Sequence, residues 1–535
     1  MRALAWSLPI LLLLPITVLA DEGHKHDLTE QEIGAVHFAT SCSKREEKSL
    51  NAAVALLHSF QYEQARQRFA KIAEEDPSCA MAQWGIAMSY YHGLWDNSDL
   101  DAGRAALAKA LALSDARTTA RENAYINALA EIYREDGKDM PAHARAFEQK
   151  MADVQAAYPA DIEAAIFHAL TLAITAPKTD KTFANQRKCG EILEPIFNKL
   201  PNHPGVAHYI IHCYDNPVLA EQGLDAARAY AKIAPASAHA HHMPSHLFTR
   251  VGAWQDAIAS NLHSAQLAAA VEATSTSGEA RDQRLHAMDY LEYAYLQSGR
   301  VKEALDVLNE MRALPPLPGA TVTGDYATAA IPARYAVELG KWEEASKLEA
   351  RAGALPWTQA LTWMAVGIGS ARSGHLDRAA LAVKNLAVLR DESTERKNPY
   401  WSSQVEVQRR EVAAWIAEKK GNVDDALSMM RSAADLEDTM DKNAVTPGAI
   451  TPAREMLAEL LSLEQNPKLA VVEYESVLKL APNRFNALYG AATSAAAAGQ
   501  LDTARTYFQK LTETATGSER EELATARKKL IELKE

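Results

Sequence analysis

Seven of the chain's 17 histidines fall between His203 and His246. Four of them form two pairs with four-residue spacing, His208 with His212 and His242 with His246. That spacing puts two imidazoles one turn apart on one helix face, which is how a helix offers two ligands to one metal ion. The second pair lies in a dense run, His239-Ala240-His241-His242-Met243-Pro244-Ser245-His246. Further along, His286 and Asp289 stand three residues apart and add ligand-type groups from another helix. The candidate metal ligands are therefore His208, His212, His242, His246, His286 and Asp289. Asp215, His239, Cys213, Met243 and Arg250 are placed to serve as further ligands or to orient the imidazoles. Such a donor set suits copper, zinc or iron, and Met243 and Cys213 bring copper into view. Pro244 should kink or break its helix around Ala240, because proline removes a backbone donor and crowds the preceding turn.

Other chemistry has no motif to carry it. The chain contains no HExxH, no GxSxG nucleophile elbow and no glycine-rich phosphate loop. A net charge of −13 argues against nucleic acid as a partner. Trp84-Gly85 and the run Tyr90-Tyr91-His92-Gly93-Leu94-Trp95-Asp96 are rich in rings for this chain. They read either as a ligand platform or as packing of the first helices.

The elements that must position these residues are helices. The chain has 535 residues, 48 % of them hydrophobic, with few alternating strand-like runs. A glycine followed five residues later by alanine recurs at Gly252/Ala257, Gly299/Ala304, Gly340/Ala345, Gly374/Ala379, Gly421/Ala426 and Gly499/Ala504. The glycine relieves a tight turn, and the alanine lets the next helix approach closely. The fullest copy is Leu488, Ala492, Gly499, Ala504 and Phe508, preceded by Leu480-Ala481-Pro482-Asn483. This pattern resembles the tetratricopeptide repeat (TPR) family, as an exported bacterial-type member with a histidine-rich segment. The resemblance implies an all-α, right-handed superhelical solenoid of antiparallel helix pairs. It also implies a concave groove that binds a protein or peptide.

The N-terminus reads as a targeting segment. Arg2, the apolar stretch Leu8 to Leu19 and Val18-Leu19-Ala20 before Asp21 fit a cleaved signal peptide over 1–20. A leader over 21–47, an N-terminal array over 48–315 with the histidine groove, and a C-terminal array over 316–535 follow. Leu314-Pro315-Pro316-Leu317-Pro318-Gly319 marks the boundary. His24 and His26 fall in the polar leader. Export, to a periplasm or medium, puts Cys42, Cys79, Cys189 and Cys213 in an oxidising compartment. Disulfides are expected there, Cys42–Cys79 with Cys189–Cys213 being the most local of three pairings, with Cys213 as a thiolate ligand the other reading. After cleavage no stable membrane insertion is expected. Two functions follow. One is an exported scaffold binding a protein, peptide or small ligand in its groove with a transition metal at the histidines. The other is a metal-dependent enzyme using that groove as its active site.

Overall fold

The computed structural model describes residues 28–94, 98–114, 117–137, 139–273, 278–317, 321–517 and 519–533. The signal segment, His24, His26, Trp95, Asp96 and the Pro318-Gly319 end of the expected boundary lie outside them. Among the described residues the regular elements are α-helices and two short 3-10 turns, with no strand. Consecutive helices pack antiparallel as pairs, and each pair packs on the next. Trp254–Glu272 lies against Glu279–Gln297, Pro356–Arg372 against Leu376–Glu395, and Pro399–Lys419 against Val423–Glu437. The protein is an all-α, TPR-like solenoid.

The glycine–alanine pattern has the physical role its spacing suggests. All six glycines adopt positive φ at the turn between paired helices. The six partner alanines, Ala257, Ala304, Ala345, Ala379, Ala426 and Ala504, are each 0 % exposed, at the point where the second helix meets the first. Gly252 is doubly constrained. Its φ is 68°, and a Cβ there would lie 2.2 Å from the Pro482 carbonyl oxygen.

Residues far apart in sequence also meet. Trp254 Nε1 donates to the Asn483 carbonyl at 3.0 Å, and the Asn483 amide donates back to the Gly252 carbonyl at 3.1 Å. Lys181 Nζ likewise donates to the Met440 carbonyl at 2.6 Å, and the Asp441 N–H to the Lys178 carbonyl at 3.1 Å. The apolar interior follows the same course. One continuous core runs from Ile33 to Tyr335, a second from Tyr326 to Ala491, and a third covers the last helices. The helix Val322–Glu338 contributes side chains to both of the first two.

Two disulfides are formed, Cys42–Cys79 and Cys189–Cys213. Cys213 is therefore a structural cysteine and not a thiolate ligand. Its disulfide ties the helix Pro204–Tyr214 to its neighbour Ala184–Lys199. No helix among the described residues is long and apolar enough to cross a membrane.

Candidate metal centre

Four helices deliver six imidazoles to one place. Pro204–Tyr214 carries His208 and His212, Ala238–His242 carries His239 and His242, Pro244–Val251 carries His246, and Glu279–Gln297 carries His286. Pro244 does interrupt its helix, but two residues later than the sequence suggests. Ala240 stays helical, and Pro244 becomes the first-turn residue of the following helix. Met243 between them keeps right-handed helical angles, φ −53° and ψ −39°. The turn is thus preserved through the break, and His242 and His246 remain stacked.

The six rings form two triads, His208/His212/His239 and His242/His246/His286. Within each, three ring nitrogens lie within 4.8 Å of one another. In the first triad the Nε2 atoms of His212 and His239 each stand 3.0 Å from His208 Nε2. In the second, His242 Nε2 stands 3.0 Å from His246 Nε2. The triads are adjacent, with ring centroids of His212 and His246 6.1 Å apart and those of His239 and His242 6.2 Å apart.

The surrounding groups decide where the protons sit. His208 Nδ1 lies 2.6 Å from the His58 carbonyl oxygen, which can only accept. That carbonyl ends the helix Glu47–His58, where the last carbonyls have no partner within the helix. His242 Nδ1 lies 2.7 Å from Asn261 Oδ1, and the Asn261 amide nitrogen is spent on the Ala257 carbonyl at 2.8 Å, so Oδ1 accepts. His246 Nδ1 lies 2.9 Å from the carboxylate oxygen Oδ2 of Asp215. In all three rings Nδ1 carries the hydrogen. Neutral His208, His242 and His246 therefore present bare lone pairs at Nε2.

The consequence is sharpest in the second triad. His242 Nε2 and His246 Nε2 face each other at 3.0 Å with no proton to share. Protonating either ring would relieve the repulsion, but the site resists it. Burial, reinforced by the neighbouring imidazoles, pushes His208, His212, His239, His242 and His286 well below the usual histidine pKa. Burial lowers His246 too, with Asp215 opposing. Facing lone pairs of this kind are a donor arrangement that suits a metal ion. Metal–imidazole bonds of about 2.0–2.1 Å span two nitrogens 3.0 Å apart at an angle of about 90–100°.

The outer groups are built to match. Asp215 takes His246 on Oδ2 together with Lys442 Nζ at 2.9 Å, and Arg250 Nε on Oδ1 at 2.8 Å. Burial alone would raise the Asp215 carboxyl. Lys442 and Arg250 outweigh it and hold the group well below the carboxylate range. Tyr290 packs its ring 4.8 Å from both His242 and His246 and donates its hydroxyl to the Thr446 carbonyl at 3.0 Å. Tyr230 stacks on His208 at 5.1 Å. Phe60 covers the first triad, 4.4 Å from His208 and 5.6 Å from both His212 and His239. Phe60 has φ 53°, a left-handed conformation that is strained for a bulky residue and concentrated at functional sites. Gly205 allows the His58 helix this close, since a Cβ there would lie 2.6 Å from His58 Nδ1.

Asp289, paired with His286 by its spacing, has other neighbours. Its Oδ1 is taken by the Arg334 guanidinium, which also reaches Glu292 at 3.3 Å, and all three side chains are fully buried. The carboxylate belongs to that ion network, one turn along from His286 and outside both triads. His239, expected as a further ligand or an orienting residue, stands as the third imidazole of the first triad. Met243 is fully buried among apolar residues of the core. His58, Glu163 and His203 also cluster, but each imidazole there faces a carboxylate oxygen, at 2.9 and 2.8 Å, which hydrogen bonding accounts for. Sequence spacing had no means of finding Asn261, Phe60, Tyr290 or the His58 carbonyl. Each reaches the imidazoles through tertiary packing.

No protein-family model matches the chain, and comparison with curated proteins finds no match. Among solved structures, the yeast Tom70 crystal structure aligns over 91 % of this chain and 89 % of that one, at 13 % identity and a TM-score of 0.29. That likeness is too loose to inform the site.

Proposed function

We propose that the protein is an exported dinuclear copper protein that oxidises a small organic substrate with dioxygen. The observation that carries the reading is the pair of adjacent tri-imidazole sets, in one of which two Nε2 lone pairs, of His242 and His246, face each other 3.0 Å apart. Neither set includes a carboxylate. Non-haem iron sites of the two-histidine, one-carboxylate type are thereby disfavoured. Among ions that accept three imidazoles, copper binds more tightly than zinc. Two adjacent ions that each change by one electron suit two-electron oxidation. The disulfides and the N-terminal targeting segment support an oxidising, exported setting, where copper is retained without competing thiols.

A scaffold that binds a protein in an open groove is the second reading, and it rests on the helical-repeat architecture. A chamber of about 480 Å³, the size of a small-ligand site, weighs against it. The test is dioxygen uptake by copper-loaded protein, measured with an oxygen electrode against a panel of reducing phenols, amines and alcohols. Copper-dependent uptake that disappears in His208→Ala and His242→Ala supports the oxidase reading. Full loading with copper and no uptake with any substrate, or equal turnover with zinc, contradicts it.

A further inference from the structure

The chamber of about 480 Å³ is lined by residues of the Asp441–Pro452 segment. Thr446, one of them, accepts the Tyr290 hydroxyl through its carbonyl, and Lys442, another, is bonded to Asp215. The chamber and the histidine centre thus share a wall. The remaining walls carry Tyr326, Tyr400 and Trp401 on one side, and Glu411 and Glu437 beside them. The aromatic rings form a continuous surface, with Trp401 4.9 Å from Tyr400 and 5.9 Å from Tyr326.

The charges around this chamber do not balance. Arg250 is taken by Asp215 and Asp441, and Lys442 by Asp215. Arg454 is taken by Asp435, Asp438 and Glu473. Lys181 spends its ammonium on the Met440 carbonyl. The carboxyls of Glu411 and Glu437 are left with no cation at hydrogen-bonding distance. Glu437 receives only the Ala453 N–H, at 2.8 Å. Glu411 is 1 % exposed, and its Oε2 has no hydrogen-bond partner. A buried carboxyl without a partner is costly, and such a group in a native protein calls for a reason.

We infer that this chamber binds a small aromatic or apolar primary amine, with its ammonium on Glu411 and Glu437 and its body against Tyr326, Tyr400 and Trp401. An ammonium supplies the missing charge and donates to the unpartnered oxygen. The rings add cation–π attraction, which is strongest on tryptophan and grows as water is excluded. Burial, aided by the neighbouring Glu437, raises the Glu411 carboxyl well above its ordinary range, and burial raises Glu437 to about 7. Binding an ammonium to such carboxyls therefore releases protons at neutral pH. The chamber reading stands on its own residues. It does not depend on the copper reading, since Glu411, Glu437 and the three rings belong to neither imidazole triad.

The experiment is calorimetric titration of the full-length protein, without added metal, using phenethylamine, 2-phenylethanol and phenylacetate. These probes share a body and differ only in the headgroup. The expected result is one site for phenethylamine, at least tenfold tighter than for the neutral or anionic probe. At pH 7, buffers of different ionisation enthalpy should reveal proton release. Glu411→Gln should abolish the tenfold preference, and Trp401→Leu should weaken all three probes together. Equal binding of the three probes, preference for phenylacetate, or no phenethylamine binding up to millimolar concentration would overturn the proposal. The wild-type comparison decides the matter even if Glu411→Gln fails to fold. Amine binding alongside absent copper would sink the oxidase reading alone.

Discussion

Replacing Asn261 by leucine should weaken metal binding while leaving the empty protein nearly as stable as before. Asn261 Oδ1 is what fixes the proton of His242 on Nδ1, 2.7 Å away. Leucine has about the same volume but accepts nothing. With that acceptor gone, the His242 proton is free to move to Nε2, where His246 Nε2 waits at 3.0 Å with a bare lone pair. The Asn261 hydrogen bonds to His242 and to the Ala257 carbonyl are lost and one between the two imidazoles is formed, each worth about 1 kcal/mol, so the apoprotein should lose only about 1 kcal/mol of unfolding free energy. The metal-bound state loses more, because Nε2 must be stripped of its new proton and Nδ1 has no acceptor. Removing such an orienting group typically costs 10–100-fold in metal affinity, or about 1.4–2.7 kcal/mol. Competition of the variant and wild type against a chelator of known affinity measures the second quantity, and urea unfolding of the apoproteins measures the first. Only one of the two sites should weaken, since His208, the corresponding ring of the first triad, is held by a backbone carbonyl. If the apoprotein loses several kcal/mol and metal affinity is unchanged, Asn261 is a packing residue and the proton assignment is wrong.

Acid should destabilise the apoprotein early. The folded-state pKa values of these histidines are depressed, so below about pH 6.5 the unfolded chain binds more protons than the folded one. Stability therefore falls as pH drops through 6.5, by about 1.4 kcal/mol per unit for each such imidazole, until the folded groups titrate. Thermal melting of metal-free protein between pH 7.5 and 5 checks this, and a flat profile would show that the rings are solvated. Cys189→Ser with Cys213→Ser should lower stability by about 2–4 kcal/mol without changing metal stoichiometry, because Cys213 is a crosslink between helices and not a ligand. His286→Ala should remove one of two bound ions, whereas Asp289→Asn should leave both in place and reduce stability by exposing the Arg334 charge. Elemental analysis of each variant separates the two residues.

The repeat architecture was legible because its signal is local. A glycine that must turn and an alanine that must be small recur at fixed offset, and the same six pairs stand at helix junctions in the structure. The stacked histidine pairs were legible for the same reason, since a helix converts a four-residue interval into proximity. What spacing could not convey was which way the next helix faces. Asp289 sits three residues after His286, and the same helix turns it toward Arg334 from the neighbouring layer. His239 looked peripheral because Pro244 was expected to break the helix beside it. In fact the helical path continues through Met243, and His239 reaches His208 across the helix interface. The proton assignments depend on His58, Asn261 and Asp215, which come from three separate parts of the chain. No local pattern joins them.

The central claim is that six imidazoles hold two ions, three to each. The most direct measurement is the metal content of untagged protein after copper loading and removal of loosely bound ions, alongside His208→Ala and His242→Ala. Two copper ions per wild-type chain, and one in each variant, is the predicted result. No retained metal in the wild type, or a single ion lost equally in both variants, would contradict the account.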